Sequence, residues 1–83
     1  MEHVIVERLL TAAVDPAAVR GSAEHSRRCF DALRVRWLRT SLSLDGRRMI
    51  CEYEAPDAES VRRAQDSAGL PYERVWTAHR IEP

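Results

Sequence analysis

A strand that stops at a Pro-Asp pair and passes directly into a helix is the most constraining feature of this sequence. The strand-like run that begins near Met49 reaches Pro56, which lacks a backbone N–H and therefore ends a sheet ladder. Asp57 follows, and aspartate is a favoured N-cap for the helical run behind it. The junction predicts a strand over 47–55 and a helix over 57–68, closed by Gly69 as its C-cap.

A hairpin is predicted immediately before this junction. Residues 35–44 alternate between apolar and polar side chains, and Asp45-Gly46 is a strong signal for a two-residue turn. An antiparallel return along 47–55 follows from that turn. The cross-strand pairs expected from it are Arg39 with Glu52, Thr40 with Cys51 and Trp37 with Glu54.

The remaining segments complete a βαββαβ order. Residues 3–10 are rich in Val, Ile and Leu, Asp15-Pro16 is a helix-start signal, and residues 75–81 predict a last strand. The helix after Asp15 is expected to end near Leu33. This order is typical of an α+β, ferredoxin-like fold. We expect one domain over 1–83, with a four-stranded antiparallel sheet and both helices on one of its faces.

The sheet face without helices is predicted to mix aromatic, aliphatic and charged side chains. The more apolar side, which includes Val4, Leu44 and Tyr53, is assigned to the helices. The opposite face is expected to carry His3, Ile5, Glu7, Leu9, Val35, Trp37, Arg39, Ser41, Ile50, Glu52 and Glu54. Such a face usually meets a partner subunit or a ligand, and a chain of 83 residues gains stability from association. We therefore expect a homodimer, of the dimeric α+β-barrel type, that pairs through this face.

Three functional interpretations remain open from the residues. His3 and His79 lie on first and last strands that should be neighbours, and with Glu7 they would form a metal site for a borderline divalent ion. Alternatively, a cofactor-free enzyme or small-molecule-binding protein would use Glu7 or Glu54 as the base and Arg39 as the anion stabiliser. In a third interpretation the chain is a purely structural or interaction module, and the sheet face without helices is entirely dimer interface.

Composition excludes several other classes. The net charge is zero and all 13 basic residues are arginine, so neither lysine Schiff-base chemistry nor a P-loop lysine is available. No charge footprint indicates nucleic acid or an anionic membrane as a partner. Cys29 and Cys51 lie in different predicted elements and indicate neither a zinc ribbon nor a disulfide framework. No apolar run approaches the roughly 20 residues of a membrane span and no signal peptide is visible, so a cytoplasmic protein is expected.

Four segments of the sequence resemble one known family. They are Val4-Ile5-Val6-Glu7-Arg8, Trp37-Leu38-Arg39-Thr40-Ser41, the block from Cys51 to Asp57, and Ala68-Gly69-Leu70-Pro71. In this order they resemble the DUF4242-type family of small ferredoxin-like proteins, some of which are described as nickel-binding. The resemblance implies a protomer that dimerises through its sheet and binds Ni²⁺ or another divalent transition metal.

The sequence departs from that family at two positions. Relatives commonly carry histidine where this chain has Arg39, and an aliphatic residue where it has Glu52. Arginine stays protonated and cannot ligate a metal. Arg39 and Glu52 are predicted to pair across the hairpin. This chain is therefore expected to have an ion pair where relatives have a histidine and an aliphatic residue. The resemblance therefore does not transfer a full ligand set to this chain.

Overall fold

The computed structural model describes all residues from Met1 to Pro83. The elements are β1 (Glu2–Leu9), α1 (Pro16–Ala32), β2 (Arg36–Leu42), β3 (Arg48–Ala55), α2 (Ala58–Ser67) and β4 (Arg74–Ala78). The antiparallel strands form one sheet in the order β2-β3-β1-β4, which is the ferredoxin-like arrangement. The predicted βαββαβ fold is confirmed. Neither α1 nor α2 has the length and hydropathy of a membrane-spanning helix.

Both helices begin at the aspartates that the sequence indicated. The Asp15 carboxylate accepts a hydrogen bond from the Ala18 N–H at 2.8 Å, and Asp57 accepts one from Ser60 at 2.7 Å. Each bond satisfies a backbone donor that has no partner within the first helical turn. These local caps fix where the chain leaves the sheet and turns into a helix.

The core lies between the helices and one face of the sheet. Val4 and Val6 of β1 are fully buried there, as is Val61 of α2. The rings of Phe30 and Tyr53 meet edge to face, with their centroids 5.4 Å apart. Both helices therefore pack on the same side, as predicted, and the other side of the sheet has no helical cover. Leu44, which the alternation assigned to this core, is instead fully exposed in the hairpin loop.

The β2–β3 hairpin has the predicted register but a longer turn. Arg39 pairs with Glu52 and Thr40 pairs with Cys51, as expected. The predicted two-residue turn at Asp45-Gly46 is wrong, because the Ser43 N–H bonds to the Arg48 carbonyl at 2.9 Å and closes a four-residue loop.

An irregularity in β2 between Trp37 and Arg39 corrects two other predictions. Trp37 pairs with Tyr53 rather than with Glu54, and Arg36 takes the place opposite Glu54. A bulge shifts the in–out alternation by one residue, so the residues before it change faces. Val35, predicted on the uncovered face, is 3% exposed within the core, and Trp37 moves to the helix side with it.

Candidate functional site

The sheet surface that no helix covers, called the open face below, is defined by the strand register. Residues paired across an antiparallel sheet point to the same side. His3 lies between Glu54 and Ala78, Ile5 lies between Glu52 and Trp76, and Glu7 lies between Ile50 and Arg74. Arg36, Arg39 and Ser41 extend this face onto β2. The open face therefore combines one imidazole, several carboxylates and arginines, and exposed apolar side chains.

Two side chains, His3 of β1 and Arg39 of β2, meet on the carboxylate of Glu52 in β3. The His3 Nε2 atom lies 3.0 Å from Glu52 Oε1, and the Arg39 Nη1 atom lies 3.1 Å from the same oxygen. The side chains of His3 and Glu52 are only 15% and 20% exposed, whereas that of Arg39 is 48% exposed. This group combines an imidazole and a carboxylate that are largely buried with a guanidinium that is half exposed.

A second carboxylate flanks His3. Glu54 lies directly opposite His3 in the β1–β3 register and directly opposite Arg36 on β2. Its side chain is half-buried, like that of His3. The His3 position is therefore bordered by carboxylates on two consecutive open-face positions of β3.

Glu7 shares the open face but not the His3 group. It lies four residues further along β1, which is about 13 Å in an extended strand. Its Oε2 atom accepts a hydrogen bond from the Trp76 indole N–H at 2.8 Å. Glu7 is thus held by the aromatic residue of β4 at the far end of the face.

His79 lies just beyond the end of β4 and is exposed. The odd-numbered residues before it, Val75 and Thr77, pair with Val6 and Val4 on the helix side. No three His, Cys, Asp or Glu side chains of one chain lie close enough to hold a metal ion. Sequence reasoning selected His3, Glu7 and His79, and a single chain does not bring the three together; their roles as metal ligands stay predictions.

The residues of the enzymatic interpretation are also dispersed. Glu7, Arg39 and Glu54 share the open face, but Arg39 is bound to Glu52 and Glu7 to Trp76. A cavity of about 630 Å³ lies on the other side of the sheet, and none of the three lines it. The geometry therefore gives no support to a base and an anion stabiliser that act on one substrate at the open face.

That cavity lies between α1 and the helix side of the sheet and encloses a buried cation. Arg8 is 7% exposed; it donates to the Pro71 carbonyl at 2.6 Å and to the Gln65 side-chain oxygen. Gln65 is fully buried, and its side-chain nitrogen has no acceptor. Sequence reasoning missed this group, although a signal was present. Arg8 continues the in-facing alternation of Val4 and Val6, so an arginine occupied a position predicted to be buried.

Tyr53 lies beside the same buried polar group. Burial raises the pKa of Tyr53 to about 12, and the thiol of Cys51 adds to the effect. The Arg8 charge and the nearby polar side chain of Gln65 oppose the rise in the pKa. The phenol is therefore a neutral hydrogen-bonding group at physiological pH.

Comparison with known proteins gives a family and a fold. The model of the family described as nickel responsive protein SCO4226-like matches residues 4–77. The crystal structure of SCO4226 from Streptomyces coelicolor A3(2) superposes with a TM-score of 0.85. Its sequence is 14% identical, and the match covers 96% of this chain and 99% of that one. This likeness shows the fold.

No curated protein matches the sequence. The family description confirms the coarser part of the sequence resemblance, which predicted a nickel-associated family of small α+β proteins. The DUF4242 designation stays a prediction.

Proposed function

This chain belongs to the nickel responsive protein SCO4226-like family, and we propose that it is a small nickel-binding protein whose metal site lies on the open face. The observation that carries the proposal is the contact between His3 Nε2 and Glu52 Oε1 on neighbouring strands. Imidazole suits nickel, and a carboxylate oxygen beside it contributes negative charge to the site.

The distance between these two atoms fits a shared metal ion. Bonds from imidazole nitrogen and carboxylate oxygen to a first-row divalent metal are about 2.0–2.2 Å long. Two such bonds at a right angle place their donor atoms about 3 Å apart, and His3 Nε2 and Glu52 Oε1 are 3.0 Å apart. Nickel and copper sites with nitrogen and oxygen ligands favour such right-angled geometry. Without metal the same 3.0 Å contact is a hydrogen bond, and a nickel ion would take the place of its proton without a change in strand register.

A single chain supplies only part of a coordination shell. His3 and Glu52 provide two donors, and Glu54 is the nearest further carboxylate in the register. In a two-fold dimer that pairs through the open face, a second copy would present the same donors from the opposite side. Ile50 and Trp76 are 39% and 45% exposed on this face and give it apolar surface to bury. We therefore propose a homodimer in which the two open faces meet.

Calorimetric titration of nickel into untagged protein tests the metal proposal. We expect submillimolar binding at pH 7.5 and weaker binding at pH 5.5, because only neutral imidazole binds a metal. His3→Ala should abolish binding. His25→Ala is the matched control, because His25 is exposed on α1, away from the open face. Absence of nickel binding at pH 7.5, or unchanged nickel binding in His3→Ala, would contradict the proposal. Loss of nickel binding in His79→Ala would keep His79 among the ligands.

Light scattering at micromolar concentration tests the dimer. Trp76→Asp places a charge on the exposed apolar surface at the β4 edge of the proposed interface and should give a monomeric mass. Trp37→Asp is the matched control, because Trp37 is about as exposed but lies on the helix side of the sheet. A monomeric parent protein, or equal effects of the two substitutions, would count against pairing through the open face.

A further inference from the structure

The cavity beside α1 has the size and walls of a small-molecule site. Its volume of about 630 Å³ lies within the range of roughly 300–1,000 Å³ that ligand sites occupy. Apolar and aromatic side chains form its inner walls, among them Val19, Phe30, Met49, Tyr53 and Leu70. Exposed residues of α1 and β2, such as Arg27 and Arg36, also line it, which places its mouth along the edge of α1 next to β2.

The inner wall of this cavity contains a cation without an anionic partner. Arg8 is 7% exposed, and both of its hydrogen-bond acceptors, the Pro71 carbonyl and the Gln65 amide oxygen, are neutral. No acidic side chain forms an ion pair with it. Buried charges in proteins are normally paired, because desolvation penalises a bare ion. Arg8 retains further N–H donors after these two bonds.

A second unsatisfied donor lies next to Arg8. The side-chain nitrogen of Gln65 is buried and has no acceptor, while the oxygen of the same amide accepts from Arg8. Gln65 itself does not line the cavity, so its amide holds Arg8 in place without neutralising its charge. Arg8 is therefore the group of this pair that a ligand in the cavity can reach, and it carries one surplus positive charge.

From these observations we propose that the cavity binds a small apolar monocarboxylate, with its carboxylate on Arg8 and its apolar body against Phe30 and Met49. Arginine matches a carboxylate because its fork of N–H groups donates to both oxygens. Arg8 is the only buried charge that lines the cavity, and one buried cation balances one negative charge. The other charged residues of the lining are exposed: Arg20, Glu24, Arg27, Asp31 and Arg36. The site lies on the opposite side of the sheet from His3 and Glu52, so it is separate from the proposed nickel site.

Calorimetric titration of octanoate into the metal-free full-length chain at pH 7.5 tests the charge requirement. We expect submillimolar binding of octanoate and at least tenfold weaker binding of 1-octanol, which has the same apolar body without the carboxylate. The same titration with His3→Ala should give unchanged octanoate binding, which separates this proposal from the nickel site. No octanoate binding at millimolar concentration, or equal binding of the alcohol, would overturn it.

Two matched pairs of variants locate the site. Ala23→Phe fills the cavity from α1, whereas Ala17→Phe adds the same ring at an exposed position of α1 outside it. Arg8→Gln removes the buried charge, and Arg28→Gln removes an exposed one on α1. The first member of each pair should weaken octanoate binding at least tenfold and the second should not.

Circular dichroism shows whether each variant folds. If Arg8→Gln does not fold, the comparison of Ala23→Phe with Ala17→Phe still tests whether octanoate binds in the cavity. Octanoate affinity that is unchanged in a folded Ala23→Phe protein would overturn the proposal. In that outcome Arg8 serves only to join β1 to Pro71 and α2.

Discussion

Arg39 and Glu52 face each other across the β2–β3 hairpin, with Arg39 Nη1 lying 3.1 Å from Glu52 Oε1. The same carboxylate oxygen lies 3.0 Å from His3 Nε2 on β1. One oxygen therefore connects three strands and lies between a permanent cation and an imidazole. The cross-strand ion pair of the hairpin and the proposed nickel site both use this atom.

A double-mutant cycle with Arg39→Ala and Glu52→Ala measures the first of these effects. Because Arg39 is about half exposed, we expect a coupling of about 0.2–1 kcal/mol in the free energy of unfolding. Urea unfolding of the four proteins gives this value. Additive effects of the two substitutions would mean that the pair contributes nothing beyond its separate side chains.

The Arg39 charge should also weaken nickel binding. A unit charge about 4 Å from a divalent cation costs about 2 kcal/mol in a water-like environment, and salt screening reduces this to a loss of affinity of at least about fivefold. Arg39→Leu should therefore bind nickel at least about fivefold more tightly, and Arg39→His more tightly still, because it adds an imidazole. Nickel titration checks this, with Arg28→Leu on α1 as the control. Weaker nickel binding by Arg39→Leu would contradict the ligand role of Glu52.

The sequence predicted those parts of the fold whose causes are local. Asp15 and Asp57 act within one turn of their helices, so their caps were visible in the sequence and are present. The irregularity between Trp37 and Arg39 has no such local signal, because packing against the rest of the sheet decides where a bulge forms. This irregularity is the reason that the predicted positions of Val35 and Trp37 were wrong.

The candidate site depended on contacts between distant parts of the chain. The register of β1 against β3 places His3 beside Glu52 and Glu54, and this register cannot be derived from either strand alone. Sequence reasoning therefore selected His3 correctly as an open-face residue but grouped it with Glu7 and His79. The burial of Arg8, by contrast, could have been predicted from the sequence, because Arg8 continues the alternation that places Val4 and Val6 in the core.

Gly46 should be the glycine that tolerates substitution least. It has a φ of +75°, and an added Cβ would collide with the Val14 carbonyl oxygen. Gly69 has a similar φ of +70° but open space around it. Gly69→Ala should therefore lower the free energy of unfolding only by the cost of holding alanine in the left-handed conformation, about 1–2 kcal/mol. We expect Gly46→Ala to lower the free energy of unfolding by clearly more than Gly69→Ala in urea titrations. Equal losses would show that the loop moves away from Val14 without cost.

Tyr53 should make the protein sensitive to alkaline pH. Its pKa is raised to about 12 by burial, so between pH 10 and pH 12 the unfolded chain releases the proton while the folded chain retains it. The contribution of Tyr53 to the free energy of unfolding should therefore be constant below pH 10. It should fall by about 3 kcal/mol as the pH rises to 12. The sequence contains no lysine to titrate in the same range. Tyr53→Phe should remove this fall and Tyr72→Phe should keep it; an equally steep fall in Tyr53→Phe would contradict the assignment.

Anomalous diffraction at the nickel absorption edge, from crystals of untagged protein grown with nickel, tests the central claim most directly. The proposed function predicts a peak on the open face, about 2.0–2.2 Å from both His3 Nε2 and a Glu52 carboxylate oxygen. It also predicts that a second copy of the chain contributes ligands to the same peak. A peak at His25 or His79 without His3, or crystals in which nickel occupies no position on the open face, would contradict it.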